Sequence, residues 1–275
     1  MRPRRILVAV DGTPESRGTL AAAARLGRVT GAELAGLFVE DVELLRLAGL
    51  PFAREAGVSS GVFRRLETAD IERRFRVAAE RAREALREAA SASGVRTSFR
   101  VTRGRVVPEI LGAVPGCDAV AAGKRGGHEP SARRLGATVR SLLLHVRVPF
   151  LVGGVREPSP GPAVVLSPAS DVPEEALRFV ALLARAFGAP EVVLVAGGAG
   201  GSRIETAGIP VRRRGFPSDS SGGVKALLEA EGASAVVLIR PEGAAGPELL
   251  VALAEAAAGP VFVIGAAGVA ELLSA

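Results

Sequence analysis

The 275-residue sequence predicts an α/β protein built as two doubly wound, parallel five-stranded sheets in tandem. Short uninterrupted apolar runs alternate with longer amphipathic ones, as in parallel strands buried on both faces by crossover helices. The length suits about two ordinary domains. The pattern also occurs twice. "PAVVLSPASDVPEEALRFVALLARAFGAPEVVLVAG" lies over "RILVAVDGTPESRGTLAAAARLGRVTGAELAGLFVE", "SAVVLIRPEG" over "DAVAAGKRGG", and "GPVFVIGA" over "VPFLVGG".

In the first copy, residues 6–10 form an apolar strand that ends at Asp11. A helix over 14–29 follows, its inner face small and apolar, and then a strand over 33–39. Residues 41–92 are an insertion expected to be helical. "LLRLAGLPFAREAG" opens it, and a long helix over 67–92 closes it. In that helix Ile71, Phe75, Ala78, Ala82 and Leu86 recur at helical spacing, with Arg73, Arg74, Arg81 and Arg87 placed on the outer face. Strands over 98–101, 118–122 and 148–152 and helices over 106–114 and 137–145 complete the unit. "REPSPGPA" reads as a linker, giving a first domain over 1–155, a linker over 156–162 and a second domain over 163–275. The two closing strands, 148–152 and 260–264, are expected to pair edge to edge within the chain, which would satisfy their backbone groups without a second molecule.

Composition narrows the function. A single cysteine, Cys117, excludes an internal disulfide framework and fits a reducing cytoplasm. His128 and His145 are the only histidines, too few for a zinc site or a His-activated nucleophile. The formal charge of +6 is scattered arginine with no basic stripe interleaved with aromatics, so nucleic acid is not an expected ligand. Every apolar run is broken by Arg, Glu or Pro before it reaches membrane-spanning length. The basic start "MRPRRILVAVDG" meets Asp11 too soon for a secretory signal. No paired carboxylates and no base beside a nucleophile are apparent, so a turnover enzyme is not expected. "RRRG" at 212–215 reads as a solvated loop.

"ILVAVDGTPES", "GKRG" and "LGATVRSLLLHVRVPFLV" together resemble a universal stress protein domain. That family, within the adenine nucleotide alpha hydrolase-like group, has an Asp-terminated first strand and a Gly-x2-Gly-x9-Gly segment. Here the glycines are Gly123, Gly126 and Gly136. The resemblance is strong over 1–154 and weak over 162–267. It implies sheet order 3-2-1-4-5 and an adenine nucleotide (ATP, ADP or AMP, with Mg as an accompanying ion) at the carboxyl ends of strands one and four. Carried onto this sequence, it implies a site of Val10, Asp11, Gly12, Thr13, Val39, Gly123, Lys124, Arg125, Gly126, Gly136, Ala137 and Thr138. Asp11 would meet ribose or adenine, and the Val39 main chain the adenine edge. The glycines admit sugar and phosphates. The helix opened by Gly136 favours anions, with Lys124, Arg125, Arg133 and Arg134 adding charge.

One departure stands out: the family's Ser/Thr after the third glycine is Ala137, and Thr138 lies one step further. The second copy departs more. Ser167 replaces Asp11, and Ile239 and Glu242 replace Gly123 and Gly126, so any nucleotide site is expected in the first copy alone. The resemblance also implies an intramolecular pseudo-dimer, and a homodimer of the whole chain is a further assembly it allows. A different reading needs no nucleotide: an interaction module whose 41–60 insertion, through Leu44, Leu47, Leu50 and Phe52, docks a protein partner such as a transporter or kinase.

Overall fold

Thirteen strands and eight helices make up the described part of the chain in a computed structural model. The described residues are 4–14, 16–56, 63–124, 135–153, 161–167, 172, 174–197, 203–206, 208–215, 222–240, 247–257 and 259–265. The first half runs β1 (Arg5–Ala9), α1 (Ser16–Thr30), β2 (Glu33–Asp41), α2 (Val42–Ala48), β3 (Arg54–Ala56), β4 (Phe63–Arg65), α3 (Thr68–Ser91), β5 (Thr97–Gly104), α4 (Val106–Ala113), β6 (Ala119–Gly123), α5 (Ala137–His145) and β7 (Phe150–Gly153). The second runs β8 (Ala163–Ser167), α6 (Glu174–Phe187), β9 (Val192–Ala196), β10 (Arg203–Thr206), β11 (Ile209–Gly215), α7 (Gly222–Glu231), β12 (Ala235–Arg240), α8 (Pro247–Ala256) and β13 (Val261–Gly265).

Each half holds a parallel five-stranded sheet, ordered β5-β2-β1-β6-β7 and β11-β9-β8-β12-β13, which is 3-2-1-4-5 in both. The closing strands pair antiparallel, Val152 opposite Val261, Leu151 opposite Phe262 and Phe150 opposite Val263. The two sheets thereby become one sheet of eleven strands, the eleventh being β10, antiparallel to β11 at the far edge.

Side chains alternate across the sheet and feed two cores, one per face. Ile6, Val8, Leu26 and Leu86 share one with Val165, Phe179 and Phe262. Leu7, Leu142 and Phe150 share the other with Val164, Leu253 and Val261. Helices α1, α3 and α6 cover the first face, and α4, α5, α7 and α8 the second. Both cores cross the joint between the halves.

Two expectations need correction. The insertion is not helical throughout. Between α2 and α3 the chain makes an antiparallel hairpin, β3 on β4, over a small core of Ala48, Ala53, Leu66 and Ile71. Residues 212–215 are not a loop but the end of β11. Arg212 there bonds Glu231 at 2.7 Å and Glu191 at 2.9 Å, and these two carboxylates push its guanidinium pKa up. Arg74 is exposed, as the helical spacing expects, and its guanidinium also pairs with Glu55 of the hairpin at 2.7 Å beside a cavity described below. Cys117 is buried against the Ala113 carbonyl, and the exposed His145 has Nδ1 2.7 Å from the Ser141 carbonyl of its own helix. His128, the Arg133–Arg134 pair and most of the linker fall outside the described residues.

Candidate functional site

The chain leaves β1 toward α1 on one face and leaves β6 toward α5 on the other. Neighbouring strands whose connections diverge open a crevice at their carboxyl ends. A cavity of about 590 Å³ lies there. Its floor is the strand ends, from Ala9, Val10 and Leu37 to Val39, Ala122 and Gly123. Val106 and Ile110 of α4 with Thr138 and Val139 of α5 form one wall. The insertion forms the other, with Leu44, Leu47, Leu66, Ile71, Phe75 and Ala78. Phe75 also meets Phe38 edge-on at 6.4 Å.

Asp11 follows β1 and closes a tight turn. Its Oδ1 accepts from the Thr13 backbone N–H at 3.0 Å and from the Thr13 hydroxyl at 2.7 Å. Ser16 Oγ donates to the Thr13 carbonyl at 2.7 Å and helps start α1. Both of these bonds fall on Oδ1, and Asp11 borders the cavity. Gly12 takes φ +73°, and a Cβ there would sit 2.3 Å from the Ala78 carbonyl oxygen. It lets α3 close over the end of β1 and is not itself part of the lining.

Val39 contributes main chain. The Leu37 carbonyl accepts from Val10 N–H at 3.0 Å, so Leu37 bonds toward β1. Hydrogen-bonding groups alternate sides along a parallel strand, so Val39, two residues on, presents its N–H and C=O the same way. By then β1 has ended, its last register partner being Leu37 for Ala9. An N–H and C=O pair is left at the cavity floor with no strand to meet it.

At the other end, Gly123 lines the cavity and Gly136 caps α5 with no side-chain bond to the helix's first N–H groups. Gly136 N–H itself donates to the Lys124 carbonyl at 2.9 Å. Thr138, not Ala137, borders the cavity, and Ala137 is exposed on the far side. Lys124 is a further correction. It is buried, and its Nζ donates to the Ala257 carbonyl of the second half, away from the cavity. Arg125 and Gly126 lie outside the described residues. In the second half, the strand registers make Ser167 the counterpart of Val10 rather than of Asp11, whose counterpart, Pro168, lies outside the described residues; Ser167 and Ile239, the counterpart of Gly123, are both buried.

Sequence reasoning missed the charged rim. Arg54, Glu55 and Arg74 border the cavity from the hairpin and α3. Glu55 Oε1 accepts from Arg74 Nη2 at 2.7 Å and from Arg64 Nε. Arg74 first, then Arg64, hold the Glu55 pKa down at about 2, from an ordinary 4.5. A carboxylate depressed in the folded state stabilises it above its unfolded pKa, and that contribution fades as pH falls from 4.5 toward 2. Thermal melts taken from about pH 5 to about pH 3 are expected to fall more steeply for the wild type than for Glu55→Gln. Equal slopes would show that the pair does not hold the hairpin.

No group of three or more His, Cys, Asp or Glu able to hold a metal occurs among the described residues. None of their helices is long and apolar enough to cross a membrane.

Residues 3–153 match the family model described as the universal stress protein family. Solved structures with this fold include a universal stress protein from Archaeoglobus fulgidus DSM 4304, with TM-score 0.65 and 15% identity over 95% of this chain and 96% of that one. Another is a putative universal stress protein from Pseudomonas aeruginosa UCBPP-PA14, with TM-score 0.58 and 13% identity over 98% of this chain and 96% of that one. At these identities the likeness is one of fold. No curated protein matches the chain.

Proposed function

The chain belongs to the universal stress protein family, and on that premise we propose that it is a cytoplasmic stress-response regulator whose first half binds ATP or another adenine nucleotide without turning it over. The observation that carries this reading is that one cavity is bordered both by the Asp11 carboxylate and by the Val39 main chain beyond the end of β1. A base edge needs one donor and one acceptor, which Val39 N–H and C=O supply. Ribose hydroxyls need an acceptor, which Asp11 Oδ2 supplies. The apolar walls take the faces of the base. Phosphates fall toward Gly123 and the uncapped start of α5, where peptide N–H groups and the helix dipole favour anions. Thr138 offers there the hydroxyl that Ala137 lacks. Magnesium is usually held by one or two carboxylates plus phosphate oxygens, and Asp11, Asp41 and Glu55 are the carboxylates that border the cavity. Lys124 is dropped from the phosphate set.

The same reading divides the chain into a nucleotide-binding domain over 1–155, a linker over 156–162 and a partner domain over 163–275, in which the buried Ile239 stands where Gly123 would admit a ligand. The rival reading, docking through the insertion, is narrowed. Leu44 and Leu47 border the cavity, while Leu47, Leu50 and Phe52 are also exposed, Phe52 at 75%.

Calorimetry with ATP, ADP and AMP tests the proposal. Binding is expected for the wild type. Asp11→Ala is expected to weaken it by about 10- to 100-fold, the loss of a hydrogen bond to a charged group. Asp11→Asn keeps an Oδ1 acceptor for Thr13, so its fold stability should stay near wild type while its affinity drops. Absence of heat with all three nucleotides at millimolar concentration would sink the reading.

A further inference from the structure

We propose that the second half braces the anion-binding end of the first, with Glu255 as the positioning residue; this rests on the nucleotide reading above. Lys124, directly after Gly123, and Leu135, directly before Gly136, are tied to α8 and the residue that follows it. Lys124 Nζ donates to the Ala257 carbonyl, and Leu135 N–H donates to Glu255 Oε1 at 3.0 Å. Gly136 N–H closes the two stems on each other through the Lys124 carbonyl at 2.9 Å. The gap between Gly123 and the start of α5, across which phosphates would lie, is thus set from the other half of the molecule.

Half of this arrangement is reciprocal. Arg240, the last residue of β12, occupies the sequence place that Lys124, next after β6, occupies in the first half. It reaches back across the joint and donates to the Leu143 carbonyl at 2.7 Å and the Val146 carbonyl at 3.2 Å. Val146 and Ala257 are equivalent, each the third residue before the proline that precedes a closing strand. Each half therefore places a cation on the C-terminal carbonyls of the other's last helix, where the helix dipole favours it. The remaining contact is not reciprocal. The residue equivalent to Glu255, five before Pro149 rather than Pro260, is Leu144, which is exposed. The exchanged cations serve the joint in both directions. The carboxylate serves only the half that carries Asp11, Gly123 and Gly136. A carboxylate accepting from a backbone N–H makes a stronger bond than a neutral acceptor, which suits a residue that fixes a helix start.

The test compares Glu255→Ala with Glu255→Gln, which keeps a side-chain oxygen to accept from Leu135. Affinities for ATP and adenosine and the amide exchange rate of Leu135 are measured on the full chain. Loss of the brace is expected to weaken ATP by about five- to tenfold in Glu255→Ala. Adenosine should be unchanged, Leu135 exchange at least several-fold faster, and Glu255→Gln close to wild type in all three. ATP affinity unchanged in Glu255→Ala, or ATP and adenosine weakened alike, would overturn the positioning role, because a general loss of fold moves both ligands together. If the wild type binds no adenine nucleotide, the nucleotide reading falls on its own. The brace is then judged by exchange: faster exchange in Glu255→Ala but not in Glu255→Gln supports it, and unchanged exchange at Leu135 overturns it.

Discussion

Gly12→Ala is expected to destabilise the protein by about 3 kcal/mol, the sum of a left-handed backbone forced on alanine and a steric collision. Gly12 holds φ +73°, and its new Cβ would stand 2.3 Å from the Ala78 carbonyl oxygen. That oxygen belongs to the backbone of α3, so no side-chain rotation relieves the contact. Gly31 supplies the control. It holds φ +67° and faces open space, with no atom within 4 Å of where a Cβ would stand, so Gly31→Ala carries the backbone cost of about 1 kcal/mol alone. The difference between the two in denaturant melts measures the collision. Ala78 and Phe75 line the cavity, so pushing α3 outward should also weaken whatever the cavity binds. Equal losses for the two variants would mean that α3 does not press on the end of β1.

Phe262→Ala is expected to cost about 3–5 kcal/mol and to uncouple the halves. Phe262 is 1% exposed and lies on the joining strand β13, opposite Leu151 of β7. It meets Phe187 of α6 edge-on at 5.5 Å, and Phe187 in turn lies under Arg25 of α1 at 5.7 Å. One ring thus connects the strand joint to helices of both halves. Because both cores cross the joint, the wild type should melt in one calorimetric transition. Truncating Phe262 leaves a cavity in that crossing, and the transition should fall and split. A wild type that already melts in two steps, or a variant that loses under about 1 kcal/mol, would show that the halves are energetically separate.

Much of this molecule can be read from residue order because its strands are buried on both faces. Runs such as Ile6 to Val10 and Ala119 to Ala122 have no polar side to confuse the period, and their boundaries fall within a few residues of expectation. The pairing of the closing strands is legible for the same reason: two apolar edges need cover. Strands β3 and β4 are not legible. Three residues each, "REA" and "FRR", are too short and too charged to show alternation, and their existence depends on the core beneath them. Helical spacing puts Arg74 outward because the inner stripe is drawn through apolar residues. What the spacing does not show is the hairpin beside it, which gives the exposed arginine a partner in Glu55. Lys124 escapes local reasoning for a matter of range. Its partner carbonyl is 133 positions away, and local spacing carries no information on which helix of the second copy arrives there.

The antiparallel seam between β7 and β13 has a consequence for heredity. Two identical subunits must accept every amino-acid replacement twice, once on each side of their contact. Fusing the pair in a single reading frame removes that constraint and fixes the ratio of the partners at one to one, whatever the cellular abundance. In such an arrangement one half can differ from the other at the binding positions, as Ile239 differs from Gly123, and can carry Glu255 for the benefit of its neighbour.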